Sequence, residues 1–111
     1  MKVTITLGDD FKCQACRLSK KYKSLKSDLK DFQDSIKENP FQGSDLGGGV
    51  TKIRMAIGSK GKGKSGGACV LTLTVLVSEN ADVTLLTIYD KEEIDNVSDE
   101  YIKWLVSKER K

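Results

Sequence analysis

Two runs in the second half of the chain, ACVLTLTVLV (68–77) and VTLLTIY (83–89), constrain the fold more than any other feature. Both are rich in β-branched and apolar residues, the composition of strands buried in a sheet. A third strand precedes them in VTKIRMAI (50–57), where Ile53, Met55 and Ile57 share one side and Lys52 and Arg54 the other. Strands that follow one another so closely predict an antiparallel meander. KVTITL (2–7) adds a further half-buried strand, with Val3 and Ile5 alternating against Thr4 and Thr6, and Gly8 ends it.

Between the first strand and the meander the apolar period changes from two to that of a helix. Phe11, Ala15, Leu18 and Tyr22 fall on one helical stripe behind a cap at Asp9 or Asp10. After a break near Lys23 and Ser24 the spacing returns as Leu25, Leu29, Phe32 and Ile36. Asn39-Pro40 stops this second helix, because a residue before proline is pushed out of the helical region. The pair reads as a helical hairpin laid on the sheet, followed by loop in the glycine-rich FQGSDLGGG (41–49). Ser98 looks like the N-cap of a last helix through Ile102, Leu105 and Val106, with Trp104 off its main stripe as a partner contact or a cover for the sheet edge. The expectation is one α+β domain over 1–111: a small, mainly antiparallel sheet, a helical hairpin and a C-terminal helix, with the helices on one face.

A chain of 111 residues has room for one such core. No apolar run reaches the roughly 18 residues of a membrane span, and the start, MKVTITLGDD, does not read as a secretory signal. A cytoplasmic address without membrane contact is therefore expected, with the three cysteines reduced. The chain contains no histidine, which excludes the Ser/His and Cys/His catalytic devices and leaves proton transfer to lysine, arginine, tyrosine or a carboxylate. Cys13-x-x-Cys16 is a poor zinc or redox motif: the chain offers no histidine and one other cysteine, Cys69, to complete four ligands, and the pair begins past the helix N-terminus that would activate a thiol. No metal and no cofactor are expected.

The net charge of +3 is unevenly distributed. Residues 1–45 carry +2 and residues 79–111 carry −4, while residues 46–78 hold five bases, Lys52, Arg54, Lys60, Lys62 and Lys64, and no acid. Such a segment suits a phosphate-rich polyanion, although a solvated loop is the plain alternative.

Within it, GSKGKGKS (58–65) matches the phosphate-cradling pattern G-x-x-x-x-G-K-[ST] letter for letter. That site needs a helix whose N-terminus points at the phosphates, and here Gly66, Gly67 and a β-branched run follow instead. A nucleotide site is thus disfavoured. Lys60, Lys62 and Lys64 instead form a comb: in extended backbone residues two apart point the same way, so the three would line one edge beside Lys52 and Arg54. Tyr89 ends the last strand next to Asp90 and Lys91, where core packing and base stacking are equally open to it.

Taken together, KKYKSLKSDLKDF, NPFQGSDLGGGVTKIRMAI, SKGKGKSGG and LLTIYDKEE resemble the RelE/ParE toxin superfamily, nearest to its bacterial RelE-like branch with a lysine-glycine loop, over roughly residues 11–106. The resemblance implies a ribosome-dependent endoribonuclease of messenger RNA, held inactive by an antitoxin and bound to operator DNA only through the antitoxin complex. It also implies a catalytic set of Arg54, Lys60, Lys62 and Lys64, with one lysine as base, and RNA contacts from these and Lys52, Tyr89 and Lys91. Two departures stand out. Relatives usually have arginine in the strand after the loop, where this chain has Cys69, and an arginine and tyrosine near the C-terminus, where it reads DKEEIDNVSDEYI. The alternative is a non-catalytic module of the same fold that binds antitoxin, or operator DNA as a complex.

Overall fold

The computed structural model describes residues 2–61, 67–94 and 96–109. In chain order the elements are β1 (Lys2–Leu7), α1 (Asp9–Lys21), α2 (Leu25–Glu38), β2 (Ser44–Gly47), β3 (Val50–Met55), β4 (Ala68–Val77), β5 (Asn80–Asp90) and α3 (Asp99–Glu109), with a short 3-10 turn at Gly58–Lys60. The five strands form one sheet in the order β1-β5-β4-β3-β2. β1 lies parallel to β5, and every other pair is antiparallel. A parallel neighbour requires a crossover, and the chain between β1 and β5 supplies it. The expected α+β architecture is the one that forms, meander included.

Both helices of the hairpin bury the stripes read from the sequence. Phe11 and Leu18 of α1, and Leu25, Phe32 and Ile36 of α2, pack on Ile53, Met55, Val70, Val83, Leu85 and Ile88 of the sheet. Gly8 makes the turn from β1 into α1: its N–H donates to the Leu85 carbonyl at 2.9 Å, and a Cβ there would lie 2.9 Å from that same oxygen. At the far end, Asn39 caps α2 with its N–H on the Ser35 carbonyl.

The expectation of helices on one face needs correction, because α3 lies on the other. Leu105, with the half-buried Val97, Tyr101, Ile102 and Val106, covers Val50, Cys69, Leu71, Leu73, Leu86 and Tyr89. Alternation along β4 explains why: Ala68 and Val70 point under the hairpin while Cys69, Leu71 and Leu73 point away from it. A single helical layer would leave those side chains in water, at about 2 kcal/mol for each fully buried leucine. A bulge opposite Leu71 and Thr72 lets successive β5 residues Leu86 and Thr87 both face α3. Ser98 caps α3 as expected, its Oγ accepting the Tyr101 N–H at 3.1 Å.

A second correction concerns the loop 41–49. Its Ser44–Gly47 portion is an edge strand paired with β3, with a bulge between Asp45 and Gly47. Three consecutive glycines, Gly47, Gly48 and Gly49, turn the chain back with φ of 92°, 62° and 86°, a run of left-handed backbone that other residues resist.

Candidate functional site

The lysine-glycine segment leaves the sheet at one end, and its two stems are tightly held. On the first stem, Gly58 N–H donates to Asp28 Oδ2 at 2.9 Å and Ser59 N–H to Ser24 Oγ at 2.7 Å, while Ser24 N–H donates back to Ser59 Oγ at 2.8 Å. These bonds fasten the 3-10 turn to the junction of α1 and α2. On the second stem, Gly67 passes so close to β3 that a Cβ would stand 2.0 Å from the Met55 carbonyl oxygen. The Lys91 N–H donates to the Gly67 carbonyl at 3.4 Å. Lys62 and Lys64 lie outside the described residues. Ala68 opens a strand, so the chain past the motif offers no helix N-terminus for a phosphate, and the nucleotide reading loses its physical support.

Lys60 departs from the comb. Its side chain is only 5% exposed, and Nζ sits 2.6 Å from Oδ1 of the fully buried Asp90. Tyr22 donates its hydroxyl to the other carboxylate oxygen, and the Glu92 N–H reaches Oδ1 at 3.0 Å. The ammonium also lies 5.3 Å from the centre of the Tyr22 ring. Burial acts to raise the Asp90 pKa, but hydrogen bonds from Lys60 and Tyr22 outweigh it and bring it down to about 2. Burial likewise opposes the charge on Lys60, yet its bond to Asp90 prevails and raises its pKa. A free amine ready to take a proton at neutral pH requires the opposite shift. Lys60 therefore does not line an outer edge with Lys52 and Arg54. The alternation argument assumed extended backbone, whereas a 3-10 turn followed by Gly61 at φ 67° swings Lys60 under the hairpin.

Acidic residues beyond β5 complete this cluster. Glu93 accepts a two-pronged bond from Arg17 at 3.1 and 2.9 Å and lies 3.4 Å from Lys21. Its hydrogen bond with Arg17 outweighs burial and holds its pKa below the usual carboxylate value. Sequence reasoning gave neither Asp90 nor Glu93 a role. The available signal was a carboxylate closing a buried apolar strand, since such a group needs cations or donors around it.

On the opposite face, the two bases of β3 remain near solvent. Arg54 is exposed and stands in a cross-strand row with Cys69 and Tyr89. Lys52 is half-buried, with Nζ 3.5 Å from Asn96 Oδ1. Both bases line a shallow depression of about 630 Å³ together with Gln42 and Ser44. Tyr89 is 3% exposed and packs in the core under α3, so base stacking would require it to leave that core. Lys91 is half-buried just beyond β5. Cys69 is wholly buried, whereas Cys13 and Cys16 are exposed on α1 across the sheet, so the three thiols do not converge. Trp104 is 49% exposed, stacked on Tyr101 with centroids 5.8 Å apart and covered by Lys108 at 4.4 Å.

The family model described as the RelE toxin of the RelE / RelB toxin-antitoxin system matches residues 11–109. The chain belongs to the RelE toxin family. Membership makes it a toxin of the toxin-antitoxin type and implies an antitoxin partner. A search of curated proteins gave no match. Among the described residues of this RelE-family chain, no helix is long and apolar enough to cross a membrane.

Proposed function

We propose that this RelE-family toxin acts as a ribosome-dependent endoribonuclease on messenger RNA, and hence in the cytoplasm. The observation that carries the reading is the pair Lys52 and Arg54 on one side of β3, lining one depression at the β2–β3 edge of the sheet, in the strand that leads into the lysine loop. In such a reaction the ribose 2′-OH attacks the adjacent phosphate and expels the 5′-oxygen of the next nucleotide. The site must remove a proton and stabilise the extra negative charge on phosphorus. Arg54 suits the second task, because a guanidinium holds two phosphate oxygens at once and stays charged. Lys62 and Lys64 are the loop amines proposed for the proton and for phosphate contacts, and Lys52 is a second charge along the RNA. Operator DNA would be reached through the antitoxin complex.

Cys69 lies in the row beside Arg54 and contributes no charge. Lacking a second cation there, cleavage is expected to be slower by about 10² to 10³, the usual effect of deleting one transition-state donor. The same buried thiol supports a second reading, a non-catalytic module of this fold that binds antitoxin. The test is addition of the purified protein to a translating extract, followed by mapping of message ends. Cleavage within ribosome-bound codons, lost by at least 10²-fold in Arg54→Ala, is the expected result. Intact message with intact antitoxin binding would select the second reading.

A further inference from the structure

The cluster around Asp90 lies on the hairpin side of the sheet, across from Arg54, and the proposed reaction makes no use of it. Yet it sits where the lysine loop begins. The last cross-strand row of the sheet is Met55, Ala68 and Asp90, and the row before it is Arg54, Cys69 and Tyr89. Lys60 therefore joins the loop's first stem to a strand residue next to Tyr89 in sequence and one row from Arg54. Four groups meet at the Asp90 carboxylate: Lys60, Tyr22 and the Glu92 N–H by hydrogen bond, and Lys21 at 3.7 Å. A fully buried carboxylate with this many donors holds its partners in one geometry, since each displaced donor leaves charge unsolvated.

We infer that Lys60 and Asp90 are positioning residues, whose ion pair fixes the point and direction in which the lysine loop leaves the sheet beside Arg54. This rests on the nuclease reading for its consequence, not for its geometry. Lys60 then differs in kind from a lysine that meets phosphate. A phosphate contact releases a counterion and steepens the fall of affinity with salt, by about 0.7 in the log–log slope for single-stranded nucleic acid. A positioning lysine leaves that slope unchanged and acts on turnover, since a displacement of about 1 Å at a reacting group can cost about 10²-fold.

The experiment compares wild type with Lys60→Met, Lys60→Arg, Asp90→Asn and the Lys60→Met/Asp90→Asn pair, each shown to be folded at the assay temperature. Cleavage of ribosome-bound message is measured at saturating message, and binding of a single-stranded RNA oligonucleotide is measured across a salt series. Lys60→Met is expected to turn over at least about tenfold more slowly with an unchanged salt slope, and Lys60→Arg to recover most of the rate. Asp90→Asn should match Lys60→Met, and the pair should be no worse than either alone. A slope reduced by about 0.7 in Lys60→Met, or a wild-type rate in that folded variant, overturns the inference. Trypsin cleavage after Lys60 supplies a readout that needs no nuclease activity. It should be slow in wild type and at least about tenfold faster in folded Asp90→Asn, because cleavage of a native chain follows local opening. Failure of wild type to cut message would remove the nuclease reading alone, whereas equal trypsin rates in the two proteins would remove the brace.

Discussion

Asp90 shows how one side chain changes meaning once its neighbours are known. In the sequence it is an acid after a tyrosine; in the fold it is the fully buried acceptor for Lys60 and Tyr22. With its pKa near 2 in the folded state against an ordinary 3.8, the folded protein holds this carboxylate ionised more strongly than the unfolded chain does. The stabilisation is fully present above pH 4 and is lost as pH falls from about 4 through 2. The shift corresponds to about 2 kcal/mol. Urea unfolding between pH 6 and pH 2 should therefore show a fall in wild-type stability that is shallower in Asp90→Asn, and the variant should be less stable at neutral pH. Lys60 teaches the complementary lesson, since period-two spacing predicts direction only where the backbone is extended.

α1 and α2 are amphipathic helices whose stripes and contact face were legible, because helical periodicity is a local property of the chain, but the cap expected at Asp9 or Asp10 is corrected: Gly8 is the N-cap of α1, no side chain caps it, and both acids lie in its first turn. β2 was hidden for the opposite reason. SDLG has no apolar alternation, all four residues are exposed, and the strand exists through its ladder with β3. α3 was legible as a helix but not as a resident of the opposite face. It has one fully buried side chain, Leu105, and a polar tie in which Tyr101 and Thr87 both donate to Asp10 Oδ2 at 2.6 Å. Leu105→Ala should cost about 2 to 4 kcal/mol and Tyr101→Phe about 1 kcal/mol in thermal unfolding. Amide exchange should be faster throughout α3 than in the centres of β4 and β5, since fewer buried contacts hold it.

Charge is distributed between the two faces of the molecule in a way the linear count conceals. The segment 46–78 carries five bases and no acid, but folding neutralises Lys60 on the hairpin side and leaves Lys52 and Arg54 on the α3 side. A salt series of RNA binding tests this partition. Lys52→Ala and Arg54→Ala should each lower the magnitude of the salt slope by about 0.7, with no change in unfolding midpoint beyond that of an ordinary surface substitution. Apolar periodicity, the proline stop and the β-rich runs were enough to specify the α+β class and most of its elements, because those signals arise between residues close in sequence. Which face each helix covers, that a glycine-rich loop becomes an edge strand, and that Lys60 meets Asp90 thirty positions away depended on the folded chain. Those outcomes come from long-range competition for buried surface and for hydrogen-bond partners, and no local window contains both competitors.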